Sequence, residues 1–234
     1  MALPQLNTAT YELELPSTGK TIKYRPFLVK EQKILMLAQE SEDTKQIEKA
    51  FADIISSCTF EKLSPYKMPL FDIEYIFLRL RGKSVGDKVK INVLCPDDEE
   101  TRVDVNIDLE NVGVLTNDDH TNEVELTKDI QIIMKYPTLS DMTGFGEKGE
   151  VLSIFEMIKN CVHEIHSGDE IYNSVDISSK ELDEFIENMS TQNFEELSKF
   201  FETMPKLQHV IKVKNPKTKK TGKVTIEGMQ SFFG

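Results

Sequence analysis

The stretch INVLCPDDEETRVDVNI returns later in the chain as IKVKNPKTKKTGKVTI. Ile91, Val93, Pro96 and Thr101 match Ile211, Val213, Pro216 and Thr221 at a constant offset of 120. One deletion later, Val105 and Ile107 match Val224 and Ile226. Each stretch is two alternating apolar runs around a proline turn, the pattern of a β-hairpin. The segments that lead into the first helices also match: IKYRPFL at Ile22 resembles IMKYPTL at Ile133, and Pro26 and Leu28 lie 111 residues before Pro137 and Leu139. Self-similarity on this scale constrains a fold more than any local motif. The chain therefore reads as α+β in two similar halves, residues 1–117 and 118–234, each a hairpin, two or three helices and a hairpin. Internal duplication accounts for the pattern. Chance likeness is the alternative, because a hairpin needs little sequence.

The elements between the hairpins follow from spacing. Tyr11 to Leu15 and Thr21 to Tyr24 alternate around PSTGK, which predicts a first hairpin. LVKEQKILMLAQE is helical, and Asp43 to Ser57 places Ile47, Phe51, Ile54 and Ile55 on one helix face. FDIEYIFLRLRG predicts a helix closed by Gly82. NEVELTKDIQIIMKYP reads as two strands. Gly149 to His166 reads as a helix with Gly168 as its cap. ISSKELDEFIENM and TQNFEELSKFFETMP are further helices, the last stopped by Pro205.

Charge excludes some classes of partner. Lys and Arg total 28 against 40 Asp and Glu, a net charge of −12. A field of that sign repels phosphate backbones and anionic lipid, so neither nucleic acid nor membrane is expected as a partner. MALPQLNTATYELEL has no basic n-region or apolar h-region, so no signal peptide is expected. No apolar run approaches the roughly 20 residues of a membrane span. Three widely spaced cysteines, Cys58, Cys95 and Cys161, fit reduced cytosolic thiols.

The Cys-Pro turn of the first repeated hairpin is drawn like one knuckle of a zinc ribbon. Such a site needs about four Cys or His ligands. The positions here hold Cys95 with Asp98 and Asn215 with Thr218, so no metal and no cofactor is expected. In NCVHEIH, His163 and His166 would share a helix face at i, i+3 and could reach one metal. Dipole stabilisation at a helix C-terminus is the plainer account of both. No phosphate loop, dinucleotide fingerprint or nucleophile elbow occurs, and no carboxylate pair stands out. An enzyme, or any small-molecule substrate, is not expected; a metal-dependent hydrolase using His163 and His166 is the weakest alternative.

Three segments are candidates for binding partners. The hairpin tips carry opposite charge: Asp97, Asp98, Glu99 and Glu100 on one, Lys217, Lys219 and Lys220 on the other. They are partner contacts or solvated turns. GMQSFFG sets Met229, Phe232 and Phe233 directly after a strand. Burying a Phe is worth about 1.5–3 kcal/mol, so something should cover them, either the chain's own core or a partner.

FFETMPKLQHVIKVKNPKTKKTGKVTIEGMQSFFG resembles the ending of the baseplate hub subunit family of T-even-type contractile-tailed phages, and PSTGKTIKYRPFLVKEQKILMLA resembles its opening. The features are a Tyr-x-Pro-Phe-Leu run ahead of a helix, a Met-Pro helix stop and a Gly-x-x-x-Phe-Phe tail. The resemblance implies a structural or assembly component of the baseplate hub that binds other phage baseplate or tail proteins. An assembly chaperone absent from the mature virion is the alternative. It implies a location in the cytoplasm of the infected host during assembly, or in the virion tail. Relatives with cysteine pairs at the hairpin tips differ from this chain there, so no structural metal carries over. Self-association is left open.

Overall fold

The computed structural model of the chain describes residues 7–41, 43–142 and 149–228. It is α+β, with short antiparallel sheets and helices, as expected from the hydrophobic spacing. The elements in order are β1 (Tyr11–Glu14), β2 (Thr21–Tyr24), α1 (Val29–Glu40), α2 (Thr44–Cys58), α3 (Leu70–Val85), β3 (Lys88–Leu94), β4 (Arg102–Asp108) and β5 (Gly113–Leu115). Then come β6 (Glu123–Glu125), β7 (Ile130–Met134), α4 (Leu139–Met142), α5 (Glu150–Cys161), β8 (Val162–Ser167) and β9 (Glu170–Asn173). The chain continues with α6 (Ser179–Glu187), α7 (Thr191–Thr203), β10 (Lys206–Lys214) and β11 (Thr221–Glu227).

The chain divides into two compact units, but not at residue 117. One unit is residues 1–115 with 206–234, and the other is residues 116–205. The division differs from the expected halves because the last hairpin packs with the first unit. Val89, Ile91 and Ile107 of β3–β4 share one buried cluster with Ile211, Val213 and Ile226 of β10–β11. Residues that match in sequence thus end up in the same core.

In the first unit, α3 serves two cores. Leu78 joins the cluster of the two hairpins. Ile76, Phe77 and Leu80 pack with Ile54, Ile55 and Cys58 of α2 and with Leu13, Leu15 and Tyr24 of β1–β2. Asp43 caps α2, accepting from the Lys45 N–H at 2.9 Å. The helix α3 runs past Gly82, which is buried within it, and ends at Gly86, where φ is +125°. A side chain at 82 would meet Asp87 Oδ1 at 2.7 Å. Gly82 is therefore a close-approach glycine and not the expected cap.

The turn from β2 into α1 is built on a buried ion pair. Arg25 Nη2 lies 2.9 Å from Glu31 Oε1, with side-chain exposures of 13% and 3%. Glu31 also accepts from the Leu28 N–H at 2.8 Å and from the Ser57 hydroxyl at 3.1 Å. Burial alone would raise the Glu31 carboxyl, but these donors outweigh it and hold the group down at about 2.

The second unit is the sheet β6–β7–β8–β9 with α5, α6 and α7. Ile132, Met134, Val162 and Ile165 of the sheet pack with Ile158, Leu182, Ile186, Leu197 and Phe200 of the helices. Ser178 and Glu181 form a capping box on α6: Ser178 Oγ accepts from the Glu181 N–H, and Glu181 accepts from the Ser178 N–H. The predicted helix to His166 stops at Cys161. Ile165 and Val162 instead pair with Ile132 and Met134 of β7, so strand pairing overrides the helical spacing. Gly168 turns β8 into β9.

The order of hairpin, helices and hairpin recurs, with β8–β9 added in the second pass. Backbone detail recurs too. The Arg25 N–H donates to the carbonyl of Cys58 at 2.9 Å, and the Lys135 N–H donates to that of Cys161 at 2.7 Å. In each case, the strand leading into the helices is tied to a cysteine that closes a helix.

Candidate functional site

The two repeated hairpins have one design. Ile91 faces Val105 across β3–β4, and Ile211 faces Val224 across β10–β11. At the open end, the Leu109 N–H donates to Asp87 O at 2.7 Å and the Gly228 N–H donates to Leu207 O at 3.0 Å. At the tips, the Cys95 N–H donates to Thr101 O, and the Asn215 N–H to Lys220 O. The Glu99 N–H donates to Cys95 O, and the Lys219 N–H to Asn215 O. Glu99 and Lys219 both take positive φ, +52° and +65°. The missing residue lies inside the second tip. Thr101 corresponds in pairing to Lys220, one place earlier than the matched threonines suggest.

The tips meet. Asn215 is buried and donates through Nδ2 to Asp98 Oδ2 at 2.8 Å and to Asp97 Oδ1 at 2.9 Å. Its Oδ1 accepts from the Lys217 N–H at 2.8 Å and the Thr218 N–H at 3.2 Å, an Asx turn that fixes the amide. The Thr218 hydroxyl donates to Asp97, and the Thr101 hydroxyl donates to Asp98 at 2.6 Å. The positions that a zinc ribbon would fill with ligands carry Cys95, Asp98, Asn215 and Thr218. Here Asp98, Asn215 and Thr218, with Asp97 and Thr101, build a hydrogen-bonded clasp, while Cys95 is a buried free thiol.

The electrostatics follow from those donors. The Thr101 hydroxyl, the Thr101 N–H and the Asn215 amide hold Asp98 well below the usual carboxylate range. Thr218 and then Asn215 lower Asp97. Burial pushes the Cys95 thiol up, and the Asp98 and Asp97 carboxylates add to the effect. Backbone approach is close as well. A Cβ at Gly222 would lie 2.4 Å from Pro96 Cγ, so only glycine fits where the tips cross.

A family model described as T4 bacteriophage base plate protein matches residues 8–234, spanning both hairpins and both units. The chain belongs to that family. No curated protein and no solved structure matches it.

In this base plate protein, the expected partner-binding residues fall into three groups. Asp97 and Asp98 are engaged in the clasp. Glu99, Glu100, Lys217, Lys219 and Lys220 are exposed and form no ion pair among the described residues. Met229, Phe232 and Phe233 lie outside the described residues. The tips are thus not two independent turns. The acidic tip is drawn against the second hairpin by hydrogen bonds from Asn215 and Thr218, and no tip acid pairs with a tip lysine among the described residues.

His163 and His166 lie on strand β8, not on a helix face. Each is close to Glu164: His166 Nε2 at 2.9 Å and His163 Nε2 at 3.9 Å. Cys161 is buried, its thiol pushed up to about 12 by desolvation. Among the described residues, no group of three or more His, Cys, Asp or Glu is arranged to hold a metal. Among them, no helix is long and apolar enough to cross a membrane.

Thr101, Thr218 and Gly222 are the clasp residues that sequence spacing did not single out for this role. The usable signal was present: Asn215 and Thr218 occupy the two knuckle positions of the second tip. Neither is a usual zinc ligand, but an amide and a hydroxyl both donate and accept hydrogen bonds.

Proposed function

We infer that this base plate protein is a component of the baseplate hub or of its assembly, and that it works by binding other tail proteins. Membership of the base plate family over residues 8–234 carries the reading. The family places the protein in a phage tail structure, where its contacts are with other tail or baseplate proteins. The resemblance at both ends of the sequence favours the hub. The clasp supports a binding role, because it makes one rigid platform of two hairpins and leaves Glu99, Glu100, Lys217, Lys219 and Lys220 facing outward. The aromatic tail, Met229, Phe232 and Phe233, is a partner anchor in this reading.

Quantitative mass spectrometry of purified virions tests the hub assignment. A stable hub component is present at a fixed ratio to the other baseplate proteins. Absence from virions, with presence in infected cells, reassigns it to an assembly chaperone that leaves.

A further inference from the structure

Resting on the reading that the protein acts by binding, we propose that the free edge of β11 takes up an extended acidic segment of a partner protein as an added β-strand, with its carboxylates set against Lys212 and Lys223.

The register defines the edge. β11 bonds to β10 on one side and to no other strand among the described residues. The Asn215 N–H donates to Lys220 O, and the Gly228 N–H donates to Leu207 O. Antiparallel pairs alternate between bonded and non-bonded. Ile211/Val224 and Val213/Gly222 are therefore bonded pairs, and the main-chain groups of Thr221, Lys223 and Thr225 point away from β10. A strand edge with free N–H and C=O groups is a template for another chain.

The side chains of the same two strands give the edge its sign. Residues 206–226 hold seven Lys and no Asp, Glu or Arg, in a chain whose net charge is −12. Lys206 pairs with Glu227 at 3.1 Å, and the other six form no ion pair among the described residues. Lys212 faces Lys223 at a non-bonded pair. Opposed side chains lie closest at such a pair, and like charges there repel. Both lysines are exposed, as are Lys214 and Val210 on the same face. The first hairpin fills this place differently. Its equivalent residues, Asn92 and Asp104, are joined by a hydrogen bond of 2.8 Å, and Asp104 also holds Lys90 at 2.7 Å. The two hairpins share one backbone design, so the unneutralised lysine pair is particular to the second. Protection of an edge strand accounts for Lys223 but not for Lys212, which lies on the central strand of its sheet.

Edge and charge together select the occupant. A strand satisfies the outward N–H and C=O groups of β11, which a helix or a nucleic acid does not. Alternation along that strand sets acidic side chains beside the lysines and apolar ones beside Val224, which packs on the hairpin core.

The test uses the full chain and peptides of about nine residues, long enough to span β11. The first peptide alternates glutamate with valine, and the second replaces glutamate by lysine. The third keeps the glutamates and puts proline in place of valine, which removes strand donors. A single-stranded oligonucleotide is the fourth probe. The Glu/Val peptide should bind at least about tenfold more tightly than the other three and slow hydrogen exchange at the outward amides of Lys223 and Thr225. The double variant Lys212→Gln with Lys223→Gln should weaken binding about tenfold without lowering the melting temperature, since both side chains are exposed and like charges are removed. Equal binding of the proline peptide or the oligonucleotide would reduce the face to a patch of charge and overturn the proposal. Binding that the double variant leaves unchanged, or no binding of the Glu/Val peptide, would overturn it too. Self-association of the chain that disappears in the variant would assign the edge to a second copy, which also overturns it. If the peptide fails yet the wild-type chain still co-purifies with baseplate proteins, only the edge is wrong. If no tail protein co-purifies, the binding role itself is wrong and the proposal falls with it.

Discussion

Asn215 donates its side-chain amide to Asp98 at 2.8 Å, joining two hairpin tips that are 117 residues apart in the chain. The bond is one of several that close the clasp, and Asn215 is where they converge. Asp97, Asp98 and the backbone of Lys217 and Thr218 all use its two amide atoms.

Gly222→Ala should damage this junction. The new methyl would sit 2.4 Å from Pro96 Cγ, and a proline ring has little freedom to move aside. A loss of about 1–3 kcal/mol is expected from overpacking, measured by urea unfolding. Pro96→Ala in the same chain should restore most of that loss. A double mutant no more stable than Gly222→Ala alone would show that the tips do not touch there.

The clasp should weaken in acid. Asp97 and Asp98 both titrate below their ordinary values in the folded protein. Carboxylates lowered by folding contribute stability that is present above the unfolded value, about 3.9, and lost as pH falls through the folded values. The stability difference between the wild type and Asp97→Asn with Asp98→Asn should therefore be constant from pH 7 to about 5. It should close below about 4. A difference that does not change with pH would mean that the carboxylates are not held in their charged form.

Arg25→Ala should be among the more damaging single changes in the first unit. It leaves Glu31, at 3% exposure, with only the largely exposed Lys30 ammonium at 3.3 Å as a cation. Breaking a buried pair by removing one partner costs about 3–5 kcal/mol, seen as a fall in the denaturation midpoint. Glu31 itself, held down at about 2, contributes stability above about 4.3 that is lost as pH drops toward 2. A change of less than about 1 kcal/mol would show that water reaches the pair, as it does at surface ion pairs.

Spacing carried much of this architecture but not its assembly. The offset between Ile91 and Ile211 identified two equivalent hairpins and located their strands. It could not show that those hairpins pack on each other, because periodicity reports which face is buried and not against what. Residues 150–166 failed for a related reason. Val162 and Ile165 continue the helical spacing of Ile154 and Ile158, and no Gly or Pro marks the change to strand. Pairing with β7 alone decides it. At the tips, the sequence ruled out a ribbon of four metal ligands at Cys95, Asp98, Asn215 and Thr218. It had no means of showing that an amide and two hydroxyls close the same junction, since that depends on a contact across both tips.

Deleting residues 229–234 separates partner anchor from core. As a partner anchor, the segment can be removed with the melting temperature unchanged and the tail-protein partner lost. Two buried Phe side chains would instead be worth about 3–6 kcal/mol together, and their loss would lower the midpoint and solubility.

If this base plate protein acts by binding other tail proteins, affinity purification of the tagged full chain from infected cells recovers them with it. The predicted result is enrichment of one or more baseplate or tail proteins over an untagged control, surviving a wash at moderate salt and reduced by loss of residues 229–234. Recovery of the chain without any tail protein, at every stage of infection, would contradict it.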